Sequence, residues 1–152
     1  MNYLITADLG LLRAYRLVPG EAGRDPHPVL VEEYKPAVAH EKVSEQVSDG
    51  AGHFPGGGAS RGLAGDPSGG EDHGRQLEQT RRLLRALAGR LDVLLRSPDA
   101  EGCWLAASPR ILPPLLDELA PEVRAKIDQT VPRDLTKVPA ERLHEHLVHG
   151  VL

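Results

Sequence analysis

The sequence predicts a single-domain α/β fold built on a mixed five-stranded sheet, and three observations carry the prediction. Its 152 residues match one domain, three β-type runs open the chain, and two later apolar runs are separated by helical patterns. The resulting order is βββ, loop, α, β, α, β, α. A three-strand meander followed by strands reached through helical crossovers places helices on the faces of one sheet.

Each element has a local cause. Tyr3 to Ala7 is a short β-prone run, and Leu11 to Val18 follows across Asp8-Leu9-Gly10, a turn signal whose glycine can supply a positive φ. A third run, Val29 to Tyr34, is stopped by Pro36. From Ser48 to Gly74, glycines alternate with Pro55, Pro67 and small polar residues, too few apolar side chains to offset the entropy of ordering, so a flexible loop is expected there. Glu71 and Asp72 then put negative charge where a helix N-terminus favours it, and Leu77, Thr80, Leu84, Leu87, Ala88, Leu91, Leu94 and Leu95 recur at helical spacing. A helix of about six turns follows from that period, ended by Ser97-Pro98-Asp99. Gly102 to Ala107 suits a buried strand. Ser108-Pro109 reads as an N-cap with proline in the first turn, starting a helix through Ala120, and Pro121 opens a short turn. Val123 to Val131 is helix-like at first and alternates toward its end, giving a last strand that stops near Pro132. A terminal helix runs from Pro139-Ala140-Glu141 to about His149.

Composition excludes several classes. A hydrophobic fraction of 40% supports a core, while 3% aromatic content with 16 Gly and 13 Pro leaves room for a large irregular segment. The net charge of -4 argues against coating nucleic acid by bulk charge, although a local basic face is compatible with it. Cys103 stands alone in an apolar run, so it reads as a buried, inert thiol. No run of 18 apolar residues occurs, and Asp8 interrupts the N-terminus before a signal-peptide core could form, so a cytoplasmic protein without a membrane span is expected.

No phosphate loop, dinucleotide fingerprint or nucleophile elbow is present. The reading is therefore non-enzymatic, with no catalytic set, no metal and no cofactor. Among the histidines near the loop and in the last helix, His146 and His149 share i, i+3 spacing, but no Cys or Asp joins them in a ligand pattern, and a histidine-rich surface helix is expected. Asp8, at a strand end, is the candidate functional acid. A two-metal nuclease centred on it would need a further carboxylate where the fourth strand supplies Ala106, Ala107 and Ser108. The strongest physical lead is the long helix, where Arg75, Arg81, Arg82, Arg85, Arg90 and Arg96 fall opposite the leucines. Such a face is either simply solvated or a phosphate-binding surface.

Several ordered segments resemble the bacterial host attachment protein family across nearly the whole chain. They are Ala7-Asp8-Leu9-Gly10 with Arg13 and Tyr15; Glu41 to Asp49 after His40; Asp66-Pro67 and Glu71-Asp72-His73; Ala106-Ala107-Ser108-Pro109-Arg110; and Asp134-Leu135-Thr136-Lys137. That family is similar, more remotely, to the release-factor middle domain with ribonuclease-H-like topology, which implies RNA, tRNA or the ribosome as partner. Release factors carry Gly-Gly-Gln on a mobile loop; here Gly57-Gly58-Ala59 lacks the glutamine, which puts release activity in doubt. The residues expected to contact RNA or a partner are His40, Lys42, Ser44, Asp49, Arg61, Arg75, Arg82, Arg85 and Arg110.

Overall fold

The computed structural model of the chain describes residues 2–37 and 74–151. His40, Lys42, Ser44, Asp49 and Arg61, the Gly57-Gly58-Ala59 tripeptide and all of the glycine-rich stretch before Gly74 lie outside the described residues. Five strands, β1 (Tyr3–Asp8), β2 (Leu11–Val18), β3 (His27–Tyr34), β4 (Cys103–Ala107) and β5 (Ile127–Val131), form one sheet in the order β3-β2-β1-β4-β5. The helices are α1 (74–96), α2 (Leu112–Asp117), α3 (Pro121–Arg124) and α4 (Ala140–Val151). The expected mixed five-stranded sheet is present: the meander β1-β2-β3 is antiparallel, whereas β1 pairs with β4 and β4 with β5 in parallel.

Central position explains why β1 and β4 are apolar almost throughout, since helices cover both of their faces. On one face, Ile5, Ala7, Leu12, Cys103 and Leu105 meet Leu84, Leu87, Leu91 and Leu95 of α1 and Leu115 of α2. On the other, Leu4, Tyr15, Ala106 and Val131 meet Leu135 and then Leu143 and Leu147 of α4. Burying a leucine fully stabilises by about 2 kcal/mol, so the leucine period of α1 fixes which face of that helix turns inward.

Three boundaries differ from expectation, each for a local reason. β3 begins at His27 and includes Pro28, which an edge strand tolerates because a missing N–H there breaks no interior ladder. α2 starts at Leu112, not at Pro109: the Ser108 carbonyl accepts the N–H groups of both Ile111 and Leu112, closing a turn that precedes the helix. The expected helix through Ala120 ends at Asp117, and Pro121 then opens α3 rather than a turn. No helix among the described residues is long and apolar enough to cross a membrane.

The arginine face of α1 is less uniform than the helical wheel implies. Arg75, Arg81, Arg82, Arg85 and Arg96 are exposed, but Arg90 is half-buried and pairs with Glu32 of β3, tying the helix to the sheet edge. Arg82 lies 3.7 Å from Glu78, and Arg96 lies 2.7 Å from Asp92 and 3.5 Å from Glu122. Arg75, Arg81 and Arg85 have no ion pair among the described residues.

Candidate functional site at the carboxyl edge of the sheet

The parallel strands β1, β4 and β5 end on one edge of the sheet. From there β1 leads to β2 on one side, while β4 leads through α2 and α3 to β5 on the other. Ligands of open α/β sheets bind outside the carboxyl ends of their parallel strands, which makes this edge the place to look for a site. Three of the family-like segments, Ala7 to Gly10, Ala106 to Arg110 and Asp134 to Lys137, converge on this edge.

One side of the edge is acidic. Asp8 ends β1 and its Oδ1 accepts the Gly10 N–H at 2.8 Å, which fixes the tight turn into β2. After β5, the Asp134 carboxylate accepts the Thr136 N–H at 3.0 Å. The Thr136 hydroxyl, fully buried, lies 2.5 Å from Asp134 Oδ1 and 3.2 Å from Asp8 Oδ2. A hydroxyl has a single proton, so it donates to one carboxylate and presents lone pairs to the other. Arg13 of β2 completes the cluster by donating to the Thr136 carbonyl at 2.6 Å and to Glu33 at 2.9 Å. The hydrogen bond with Glu33 raises the Arg13 pKa and holds the Glu33 carboxyl below its ordinary value. Burial raises the phenol of the neighbouring Tyr15, and the Arg13 guanidinium partly offsets this.

The other side carries a pocket of about 230 Å³, lined by Leu9 after β1, Ser108, Arg110 and Ile111 after β4, and Thr80 of α1. Arg110 is exposed, has no ion pair among the described residues, and is the one cationic side chain among the described residues that line this pocket. A separate groove of about 280 Å³, lined by Arg85, Gly89 and Asp92 of α1 and by Glu118 and Ala120, lies between α1 and the α2–α3 connection.

The expected residues therefore separate. Asp8 and Arg110 sit at the edge, and Arg75, Arg82 and Arg85 lie along the exposed side of α1. Asp134 and Thr136 are not among the expected site residues, although they belong to the family-like segment Asp134 to Lys137. Their signal is local, an acid two residues before a threonine as in an Asx-turn, but their approach to Asp8 joins positions 128 apart in sequence. Among the described residues, no group of three or more His, Cys, Asp or Glu side chains is placed to hold a metal ion. His144 is exposed and His146 half-buried on α4, as a surface helix requires.

No curated protein and no solved structure matches the chain, so the ribonuclease-H-like and release-factor-like comparisons are not carried by any match. Residues 3–147 do match a family, described as "Protein required for attachment to host cells", and this description supports a role in host attachment. With the match running from the first strand into the last helix and taking in all three segments at the carboxyl edge, the chain belongs to the family of proteins required for attachment to host cells.

Proposed function

We propose that the protein is a non-enzymatic interaction module that binds RNA or the ribosome through α1 and the adjoining carboxyl edge. The supporting observation is the exposure of Arg75, Arg81 and Arg85 without ion pairs among the described residues, close in sequence to the Thr80 side chain that lines the edge pocket. Unpaired guanidinium groups are free to contact phosphates bidentately, whereas Arg90 and Arg96 already neutralise acids of the protein itself. Binding of this kind weakens with salt, by about 0.7 to 0.9 in the logarithmic slope per phosphate neutralised. Binding to tRNA and to ribosomes, titrated against salt, is expected for the wild-type chain and is expected to fall in a variant carrying Arg75→Glu, Arg82→Glu and Arg85→Glu. Absence of binding at low salt would sink the reading. In this reading the protein supports attachment through regulation inside the cell; a direct adhesive role would instead place it in an envelope fraction.

A second reading, a metal-dependent nuclease centred on Asp8, is favoured by one observation: the Thr136 hydroxyl joins the Asp134 carboxylate to Asp8, supplying a second acid from the turn after β5 where β4 offers none. RNA cleavage that requires Mg²⁺ or Mn²⁺ and disappears in Asp8→Asn is its expected outcome. Cleavage that persists in that variant removes Asp8 from the chemistry.

A further inference from the structure

We infer that the pocket between Leu9 and Arg110 binds a terminal phosphomonoester of a nucleotide, with the base against Leu9 and Ile111; this deepens the RNA reading and rests on it. Three properties of the pocket carry the assignment. It lies outside the carboxyl ends of the parallel strands β1 and β4, between Leu9 and the segment Ser108 to Ile111. Its chemistry is divided: Leu9 and Ile111 offer apolar surface, while Thr80, Ser108 and Arg110 supply the polar groups. At about 230 Å³ it is too small for a folded segment of another protein and suits a single planar group with a polar substituent.

The polar groups differ in what they can recognise. Arg110 presents a guanidinium with no ion pair among the described residues, and a guanidinium fork matches the oxygens of a phosphate. A terminal phosphate carries more charge than a bridging phosphodiester and exposes three oxygens, so it gains more from that fork. Ser108 can add a hydroxyl donor. The Thr80 proton is directed to the Gln76 carbonyl at 2.8 Å, which leaves Thr80 as an acceptor suited to an N–H on a base edge. The nearby Asp8 carboxylate does not oppose the anion directly: it lies on the other side of the edge, held by the Gly10 N–H and facing Thr136.

The test measures fluorescence anisotropy with short oligoribonucleotides of one sequence bearing a 5′-phosphate, a 3′-phosphate or hydroxyls at both ends, alongside an NMR titration with a nucleoside monophosphate. Wild-type protein is expected to bind one phosphorylated end about tenfold more tightly than the hydroxyl form, the size of a charged hydrogen-bond contact. Arg110→Gln, at an exposed position, is expected to bring the phosphorylated strands down to the affinity of the hydroxyl form; Ser108→Ala should reduce the preference. Equal affinity for all three strands overturns the inference and leaves the RNA reading standing, as does a preference that survives Arg110→Gln. Binding of the free monophosphate, with shifts at Leu9 and Ile111 but no RNA binding, supports the pocket and overturns the RNA reading. Absence of both overturns both.

Discussion

Thr6 and Thr136 are both buried, at 1% and 0% exposure, yet they stand in opposite chemical situations. The Thr136 hydroxyl lies between two carboxylates, whereas the Thr6 hydroxyl has no hydrogen-bond partner among the described residues. Replacing threonine by the near-isosteric valine should therefore act with opposite signs. Thr136→Val leaves Asp8 and Asp134 without the intervening hydroxyl and is expected to cost about 1 to 3 kcal/mol, while Thr6→Val removes an unsatisfied group and is expected to stabilise by up to about 1 kcal/mol. Urea denaturation of the two variants checks the signs directly. Cys103 provides the pH dependence at this scale. Burial, helped by the Asp128 carboxylate, pushes its thiol from an ordinary 9.0 up to about 12. Below the unfolded value both states keep the proton and stability does not change through this group. As pH rises above about 9 the unfolded thiol ionises first, so stability falls by about 1.4 kcal/mol per unit until the folded thiol also titrates. Unfolding free energies across this range should fall less steeply in Cys103→Ala, with a residual slope from Tyr15, whose phenol is raised in the same direction.

At the scale of the element, α1 joins a core-forming stripe to an exposed arginine-bearing side on one helix. Leu91 is fully buried among Leu87, Leu95 and the β1–β4 face, so Leu91→Ala is expected to destabilise by about 2 to 5 kcal/mol. Gly89, just over half a turn away, is exposed, and a Cβ there meets nothing within 4 Å. Gly89→Ala should stabilise by about 0.5 to 1 kcal/mol, because alanine loses less backbone entropy in a helix. Thermal melts of both variants distinguish the two faces. This element was legible in sequence because its leucine period is long and regular. The start of α2 was not: Ser108-Pro109 has the composition of a cap, but the Ser108 carbonyl is used to close a turn, and that depends on where β4 delivers the chain.

For the whole molecule, the two core layers lie on opposite sides of one sheet, and α4 closes the second of them. Ending the chain at Pro139 would uncover Leu4, Tyr15, Ala106 and Val131, and the expected result is loss of a cooperative unfolding transition by circular dichroism. The sequence by itself determined the class of fold: strand runs of period two, helical stripes of period 3.6 and the order of elements depend on neighbours a few residues apart, and side-chain geometry reports them locally. It also marked the segments Ala7 to Gly10, Ala106 to Arg110 and Asp134 to Lys137. Only the tertiary structure decided what those segments do together. Strand order sets Asp8 beside Thr136 on one side of the carboxyl edge and Leu9 beside Arg110 on the other, and it assigns Arg90 to an ion pair with Glu32 rather than to the open face of α1. Pairings between residues so far apart follow from how the sheet is ordered, and no local period in the chain encodes that order.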